Sequence, residues 1–497
     1  MAAVSPVERE FLRRLERIPA HGLGLSVDLY SPDLTSLRRV LQQRQVLPAY
    51  LEVFRAVPAA LDAVRQQVGD GLLTYHGEGL WLTQPEAADD PFFGKEVREV
   101  AEHLQLLQSA WLNHECATKY MAGYAYGTYL PPLYTESSAA VVADNTRLVQ
   151  NLLDRHGRLL NGDAPLVLLE MAPLTYFATG TLSIPEFFRL VTERAPCGLV
   201  LDVGHLWTVF RYTGAWRTTS LGQFVETFLS AFPLERVVEI HIAGLAVHES
   251  STAFGSDATA TSGNHAPPAW TDAHAAAIPP VLFDMLDQII WHPRLTGLKG
   301  LALEVDTKPE ALIADEFARF SQRYATVFPL AKRETGASRD RGDTVFEPEP
   351  VTPAIRRTVG EAYDRYARVV AGRAEPEGSA WSHYPGCREG LVLYQSVYLP
   401  YEILHWGGEL EAMFPESCRR LKERSIPIAR LVRFWFRQPR PLSASYDFFL
   451  LKIDRFLEFV HEEMPDGDDL AEREAEELRQ AYHVANQPTV QTASGLI

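Results

Sequence analysis

The sequence has few of the features that mark several common protein classes. Its 497 residues include four scattered cysteines, Cys116, Cys197, Cys387 and Cys418, with no Cys-x-x-Cys pair, so neither a zinc knuckle nor a disulfide framework is indicated. No apolar run reaches the ~18 residues that a membrane-spanning helix needs. The first residues of the chain are charged, and do not have the apolar pattern of a secretory signal peptide. We therefore expect buried, reduced thiols and a soluble cytoplasmic protein with no membrane partner.

An excess of positive charge is also missing, because the formal net charge is -17. Lys and Arg that neutralise phosphates supply most of the non-specific affinity for nucleic acid, so we expect no nucleic-acid partner. The sequence has no Gly-x-Gly-x-x-Gly loop after a strand, no Walker loop, no His-Glu-x-x-His pair and no Ser-centred nucleophile elbow. These absences argue against a nucleotide-cofactor enzyme and against a serine hydrolase.

The hydrophobic pattern of the first two thirds of the chain is typical of parallel strands connected by helices. From about residue 20 to 325, short apolar runs alternate with longer segments of helical period. Eight runs fit strands, which is the number that closes a TIM-type barrel. We predict an α/β fold with a TIM-type (β/α)8 barrel over residues 1–330. The predicted strands are Gly24–Val27, Tyr50–Phe54, Leu72–His76, Ala110–His114, Leu166–Glu170, Gly198–Asp202, Val237–His241 and Gly300–Glu304.

The last third of the sequence has a different pattern. Residues 331–352 are charged, contain Gly and Pro, and lack an apolar period, which indicates a linker. Apolar residues then recur at a spacing of three to four, which predicts a mainly α-helical C-terminal domain over residues 353–485 and a flexible tail over 486–497. The predicted helices of this domain are Ala354–Val370, Glu389–Ala412, Arg419–Phe436 and Ser445–Glu462.

Acidic and imidazole side chains stand at the ends of successive predicted strands. The carboxyl ends of barrel strands converge at one mouth, and a charged group at the end of an apolar strand needs a partner or a metal ion. A single residue of this kind is better explained by capping or by a hydrogen bond, but nine around one ring favour a metal cluster. The nine predicted metal ligands are His76, His114, Glu170, Asp202, His205, His241, Asp272, His274 and Glu304.

The types of these side chains limit which metal ions they could bind. Imidazole and carboxylate without thiolate suit zinc, manganese or iron, and carboxylates bridge two ions. Glu170 and Glu304 are natural bridging ligands, and Asp272 with His274 forms a compact chelating pair. The stretch from Leu245 to Pro280 that carries this pair is long for a compact domain, and long loops at this end of a barrel are often functional.

A tyrosine-rich segment, Lys119–Tyr134, follows His114 in the sequence. We interpret it as an aromatic loop that packs on the rim of the barrel. The alternative is that it lines a substrate groove.

The ordered ligand set is similar to the trinuclear zinc pattern of the endonuclease IV and xylose-isomerase-like barrels. The sequence around the ligands more closely resembles another branch, the multinuclear non-heme iron-dependent oxidative enzymes (MNIO). The similar segments together span residues 21–320, which makes the resemblance specific. They are HGLGLSVDLY, LLTYHGEGLWL, LLEMAPLTY, CGLVLDVGHLW, EIHIAG, TDAHAAAIPP and LALEVD.

The resemblance implies a mixed-valent centre of two or three iron ions. Such a centre uses O2 to oxidise a Cys, Asp or Asn residue of a ribosomally synthesised precursor peptide during natural-product biosynthesis. By match, Asp202, His205 and Glu304 are the expected catalytic positions. Zinc is the alternative metal, and would imply a phosphodiester hydrolase of the endonuclease IV type or a sugar isomerase. The implied sets are Glu170, Asp202, His241 and Glu304 for one ion, His76, His114 and Glu170 for a second, and His205, Asp272 and His274 for a third.

Three positions depart from the family pattern. Met171 stands where the family commonly has Asn, Phe54 stands where it has His, and His205 replaces an amide. An imidazole binds metal more strongly than an amide, so His205 favours full occupancy of the third position or a metal other than iron.

In related systems a separate small protein presents the precursor peptide to the enzyme. The C-terminal stretch LVLYQSVYLPYEILHWGGELEAMFPESCRRL weakly resembles such a partner. We therefore expect a fused peptide-binding domain, with a lid or a dimerisation module as the alternatives.

Overall fold

The computed structural model describes residues 4–90, 92–173, 176–247, 270–272, 274–328, 350–381, 384, 386–442 and 446–485. Its barrel strands are short runs of Val, Leu and Ile that are buried on both faces, as in a parallel sheet covered by helices. The strands are β1 (Gly22–Val27), β2 (Tyr50–Phe54), β3 (Leu72–His76), β4 (Trp111–Glu115), β5 (Thr118–Met121), β6 (Tyr124–Leu130), β7 (Leu166–Glu170), β8 (Gly198–Asp202), β9 (Val237–Ala243), β10 (Leu245–Val247), β11 (Trp270–Asp272) and β12 (Gly300–Glu304).

Eight of these strands form a closed parallel barrel in the order β1-β12-β9-β8-β7-β4-β3-β2. The predicted TIM-type fold and all eight predicted strands are therefore confirmed. The register pairs Glu115 with Glu170 and Asp202 with His241 across neighbouring strands. Aligned strand ends of this kind bring side chains that are distant in sequence to one level of the mouth.

Helices alternate with the barrel strands and cover them. Side chains cap the first turns of several of these helices. Ser183 and Glu186 form a capping box at the helix that begins at Ile184, and Asp202 accepts the amide of His205 at the helix that begins at Val203. The helices of this part are α1 (Pro6–Arg17), α2 (Leu34–Gln43), α3 (Pro58–Val68), α4 (Phe93–Leu107), α5 (Glu136–His156), α6 (Ile184–Arg194), α7 (Val203–Tyr212), α8 (Leu221–Ala231), α9 (Pro280–Ile290) and α10 (Glu310–Tyr324).

The tyrosine-rich segment after His114 is a β-hairpin, so its interpretation as a loop is wrong. Strands β5 and β6 pair antiparallel, and Met121 faces Tyr124 across the turn. The two residues between them, Ala122 and Gly123, both have positive φ, at 50° and 82°. This geometry suits the right-handed twist of a hairpin but normally selects Asn-Gly. Because Ala stands in place of Asn, the turn signal in the sequence is weak.

The C-terminal region is mainly helical, as predicted, but two of its predicted helices are interrupted. The segment predicted as Glu389–Ala412 contains a π-helical turn at Tyr394–Tyr398 just before Pro400, whose ring cannot fit a regular helical turn. It then ends where Gly407 takes a positive φ. The helices are α11 (Pro353–Val370), α12 (Cys387–Leu393), α13 (Leu399–His405), α14 (Leu410–Met413), α15 (Pro415–Glu423), α16 (Arg430–Trp435), α17 (Phe448–Glu463) and α18 (Asp468–Ala485).

The predicted helix Arg419–Phe436 is likewise divided, into α15 and α16. Ser425 has a φ of 58°, which ends α15, and Pro427 follows it. Most of the predicted linker and the predicted tail lie outside the described residues.

The hairpin and the C-terminal helices share one apolar core. Tyr124, Tyr126 and Leu130 of the hairpin are buried in the same cluster as Phe414 and Phe456. The indole N–H of Trp435 donates to the carbonyl of Ala125 at 2.7 Å. The C-terminal helices therefore pack directly on the barrel's mouth side.

All four cysteines are free and buried, as expected. Among the helices that the structure describes, none has the length and hydropathy needed to cross a bilayer.

Candidate metal centre

The inside of the barrel changes from apolar to polar towards its C-terminal mouth. Helix α1 closes the base with Phe11 and Leu15, which pack with Leu168 and Val238 in a small separate core. Above this layer lies Glu239, whose carboxylate accepts from Tyr50 Oη at 2.6 Å and from Trp111 Nε1 at 2.8 Å. Burial and the nearby Glu52 raise the pKa of Glu239 to about 7.

His241 lies at the next level, between two pairs of carboxylates. Its Nε2 is 3.1 Å from Glu52 Oε1 and 3.6 Å from Glu239 Oε2. Its Nδ1 is 3.2 Å from Glu304 Oε1 and 3.6 Å from Glu170 Oε1. Burial alone would lower the pKa of His241, but the carboxylates around it, Glu52 first, raise it well above the ordinary value.

Glu170, at the end of β7, is the centre of the cluster. Its Oε2 lies 3.3 Å from His76 Nε2 and accepts from Asn113 Nδ2 at 2.8 Å. Its Oε1 lies 3.5 Å from His205 Nδ1 as well as near His241. A carboxylate whose two oxygens contact different imidazoles could act as a ligand that bridges two ions.

Asp202 and His205 come from the junction of β8 and α7. Asp202 Oδ1 accepts the backbone amide of His205 at 2.6 Å, and so begins α7 within the mouth. His205 Nδ1 donates to the carbonyl of Met171 at 2.9 Å, which makes Nε2 the nitrogen with the lone pair. Asp202 also offers an oxygen within 4.8 Å of ligand atoms of Glu170 and His241.

Glu304 and His274 complete the opposite side of the cluster. Glu304 Oε2 lies 3.3 Å from His274 Nε2, and His274 Nδ1 lies 2.9 Å from Asp306 Oδ2. The residues that precede α9 are anchored to Glu316, whose carboxylate accepts the amide of Ile278. The same carboxylate pairs with the buried ammonium of Lys308 at 2.6 Å.

Several ligand-type atoms in this cluster make no hydrogen bond within the described part of the chain, although they are fully buried. They are both ring nitrogens of His241, Oε2 of Glu52 and Oε2 of Glu115. Buried polar atoms without partners cost free energy, about 1–3 kcal/mol each, and are rare. Imidazoles and carboxylates packed this closely around one mouth are the donor set that a divalent metal ion would bind.

The family follows from comparison with known proteins. The family described as RiPP precursor modification enzyme MbnB/TglH/ChrH matches residues 20–318, which include all the barrel strands. The chain belongs to this family. The description of this family names enzymes that modify RiPP precursors.

Curated relatives of the chain have no described activity in their names. A UPF0276 protein of Paraburkholderia phytofirmans is 32% identical over 197 residues, which are 39% of this chain and 52% of the relative. UPF0276 protein RB0508 of Rhizobium meliloti is 29% identical and is also covered over 52% of its length. The chain thus spans about half the length of these first relatives.

Solved structures with a similar chain path are TIM-type barrels of low identity. Endonuclease IV from Thermus thermophilus is 16% identical with a TM-score of 0.35, over 62% of this chain and 99% of that one. A xylose isomerase domain protein from Planctomyces limnophilus is 13% identical with a TM-score of 0.35, over 62% of this chain and 97% of that one.

The structure brings seven of the nine predicted ligands into one continuous cluster of contacts. The side chain of Asp272 lies outside the described residues; its backbone pairs with Leu245 in the β10–β11 ribbon. His114 is not brought into the cluster. The seven are His76, Glu170, Asp202, His205, His241, His274 and Glu304.

The nine predicted ligands do not include several side chains that touch the cluster. Glu52 and Glu239 lie beneath His241, Asn113 and Glu115 lie beside Glu170 and His76, and Asp306 supports His274. Strand alternation could have indicated Asn113 and Glu115. Together with Trp111 they are spaced two residues apart on β4, so their side chains share its inward face.

Proposed function

We propose that the protein is a multinuclear iron enzyme that uses O2 to oxidise a residue of a ribosomal precursor peptide, either Cys or Asp/Asn. Family membership supports the peptide substrate. The observation that carries the metal part is the buried cluster in which Glu170, Asp202 and His241 offer ligand atoms within 4.8 Å of one another.

One ion would be held by Glu170, Asp202, His241 and Glu304. Glu170, Asp202 and His241 offer ligand atoms within 4.8 Å of one another, and Glu304 approaches the same His241 nitrogen as Glu170 does. On the outer side, His205 and His274, with Asp272 by match, are the proposed ligands of a further ion. Carboxylates and imidazoles together suit iron, and zinc remains chemically compatible with them.

When bound, iron supplies the O2-dependent oxidation that no side chain of this cluster could carry out alone. The chain's own residues orient and isolate the reacting groups. Glu170 would hold an ion together with Asp202 and His241, and the capped start of α7 fixes the positions of Asp202 and His205. Of the proposed catalytic positions, Asp202, His205 and Glu304 are all less than 5% exposed, so bulk water has little access to them.

The helical C-terminal domain is proposed to hold the precursor peptide over this mouth. Tyr398, in its π-helical turn, lies 4.6 Å from the ring of Tyr176, and Tyr176 lies 4.0 Å from Tyr212. Tyr176 follows Glu170 in the chain, and Tyr212 ends the helix that begins at Asp202. The domain therefore contacts the two barrel segments that carry Glu170 and Asp202, at the mouth over which the peptide is proposed to lie.

Oxygen-free purification followed by metal analysis and measurement of O2 uptake tests this proposal. The protein is loaded with Fe(II), and O2 consumption is recorded with and without a Cys- or Asp-containing peptide encoded beside it. We expect iron-dependent O2 uptake that increases with the peptide, together with a mass change of the peptide. Bound zinc alone, no O2 uptake and cleavage of abasic DNA would instead identify a hydrolase and overturn it.

A further inference from the structure

A cavity lies at the base of the barrel, which is the end opposite the metal cluster. Its volume is about 580 Å³, within the range of small-molecule binding sites. His21, Leu72 and Ala110 line it where β1, β3 and β4 begin, and helices α1 and α5 form its sides. The proposed metal ligands come from the carboxyl ends of the strands instead. We call this second region the basal cavity.

The charges that line the basal cavity are mainly positive, although the net charge of the chain is -17. Six arginines and three carboxylates contribute to the lining. The carboxylates are all paired with arginines of α1: Glu10 and Asp154 pair with Arg14, each at 2.8 Å, and Asp163 pairs with Arg17 at 3.3 Å. Positive charge is therefore in excess. The six arginines are Arg13, Arg14, Arg17, Arg147, Arg155 and Arg158.

Two of these arginines, Arg155 and Arg158, are exposed and form no ion pair with any residue that the structure describes. Arg158 donates to the carbonyl of Gly162 at 3.0 Å. The loop that carries it is tied to the end of α4, because the side chain of Gln108 accepts the amide of Leu160 at 2.9 Å. Two guanidinium groups next to an ordered backbone are thus available to an anion.

His21 offers a hydrogen-bond acceptor at the inner end of the basal cavity. It is 4% exposed, and its ring packs against Trp111 with the centroids 4.3 Å apart. Nδ1 donates to the carbonyl of Pro19 at 2.9 Å, so Nε2 keeps the lone pair, and no residue that the structure describes donates to it. Burial lowers the pKa of His21 to about 4, which keeps the imidazole neutral near pH 7. A buried acceptor normally has a donor, which a ligand in this cavity would supply.

The lining of the basal cavity specifies three features of its ligand. We propose that the cavity binds a small organic anion whose apolar body carries a hydrogen-bond donor. The donor meets Nε2 of His21, and the apolar body lies against Leu72 and Ala110. The anionic group pairs with Arg155 and Arg158. This inference is independent of the proposed function, because no residue of the metal cluster lines the cavity.

Fluorescence titration of the full chain with three related probes tests this site. The probes are a hydroxynaphthalene sulfonate, the naphthalene sulfonate that lacks the hydroxyl donor, and the naphthol that lacks the anion. We expect saturable binding of the first probe, and about 2- to 10-fold weaker binding of the second, which corresponds to the net contribution of one hydrogen bond. Binding of both sulfonates should weaken between about 0.1 and 1 M salt, because the charges of exposed arginines are screened. Binding of the naphthol should not weaken.

Matched variants test the two ends of the basal cavity separately. His21→Phe keeps an aromatic ring against Trp111 but removes the acceptor, so this variant should bind both sulfonates with equal affinity. Arg155→Gln combined with Arg158→Gln should weaken binding of both sulfonates about 2- to 30-fold and leave binding of the naphthol unchanged. Arg319→Gln is the control, because this arginine of α10 is also exposed and also donates to a backbone carbonyl, but does not line the cavity.

Each outcome supports or overturns the site without reference to metal-dependent activity. The wild-type comparison of the two sulfonates tests the donor end even if His21→Phe does not fold. No saturable binding below about 1 mM, equal affinity of the wild type for both sulfonates, or unchanged binding in the double arginine variant would overturn the proposal. Added metal should not change the affinity for the hydroxynaphthalene sulfonate. Binding that appears only with metal would place the probe at the mouth, and would overturn the proposal as well.

Discussion

His274 and Asp306 form a hydrogen-bonded pair at the edge of the cluster. Nδ1 of the imidazole lies 2.9 Å from Asp306 Oδ2, and Nε2 lies 3.3 Å from Glu304 Oε2. Asp306 is in turn anchored, because its Oδ1 accepts the amide of Asp28 at 2.8 Å. A carboxylate behind an imidazole selects the tautomer and raises the basicity of the nitrogen that faces the metal.

Asp306→Asn should therefore weaken binding of one ion and leave the others. We expect about a 10–100-fold increase in the Kd of that ion with an unchanged number of sites at saturating metal. Anaerobic titration with Co(II), followed by its visible spectrum, measures both quantities. Equal weakening of every ion would contradict the placement of His274 at a single outer position.

Glu52 should act on His241 from the opposite side. Its Oε1 lies 3.1 Å from His241 Nε2 and also accepts from Ser26 Oγ at 2.8 Å. Glu52→Gln removes the charge but keeps the size, so the central ion should bind about 10–100-fold more weakly. Glu96→Gln, which alters a buried carboxylate beside Arg55 on the outside of the barrel, is the matched control and should bind metal as wild type does. Equal affinity in both variants would show that Glu52 has no role in the centre.

Metal binding at His76 should release protons. Burial lowers the pKa of His76, but Glu115 and Glu170 more than reverse this and raise it from 6.5 to about 10. The metal-free imidazole is therefore protonated at neutral pH, whereas ligation requires its neutral form. If only the protonation of His76 is considered, the affinity of the protein for the metal ion should rise about tenfold for each pH unit up to the raised pKa.

Calorimetric titrations in buffers with different heats of ionisation count the released protons. His76→Gln should remove one proton and the corresponding slope, along with the ion itself. Affinity that does not change between pH 6.5 and 8.5, values chosen within the window set by the shift of His76, would contradict this protonation state.

Gly390 should be necessary for docking of the C-terminal domain. A Cβ at Gly390 would lie 1.9 Å from the carbonyl oxygen of Tyr176, whereas a Cβ at Gly222, also in a helix, would meet nothing within 4 Å. Gly390→Ala should destabilise the protein by about 1–3 kcal/mol through overpacking. Gly222→Ala should instead stabilise it by up to about 1 kcal/mol. Chemical denaturation of both variants measures the difference, and equal stabilities would show that this contact is not tight.

Gly390→Ala also tests the proposed role of the C-terminal domain. If that domain holds the peptide over the mouth, KM for the peptide should rise more than iron content falls. A loss of iron with an unchanged KM would indicate that the domain only supports the barrel.

Patterns along the chain were sufficient for the architecture. Eight apolar runs separated by helical segments predicted the barrel, and the residues at their ends predicted the level of the cluster. These properties follow from local periodicity, and converging strand ends are common to every parallel barrel. The breaks at Tyr394–Tyr398 and Ser425 were not predicted, since an apolar helical period continues across them.

The sequence alone does not decide which of His114 and Glu115 faces into the barrel. Both stand at the end of one strand, and the identity of the last inward residue depends on a shift of one position, which reverses every side chain of a strand. The tertiary structure decides which side chains of β4 face inward, because Trp111 and Asn113 donate hydrogen bonds to Glu239 and Glu170 inside the barrel.

The sequence by itself thus determined a barrel whose mouth carries imidazoles and carboxylates. Both the hydrophobic period and the residue types at the strand ends depend only on residues that are close together in the chain. Only the tertiary structure decided which of these groups meet. It brought Glu52 beneath His241, turned His114 away from the cluster, and packed the C-terminal helices on a hairpin at the mouth. These relationships depend on strand register and on contacts between residues that are far apart in the chain, which no local pattern records.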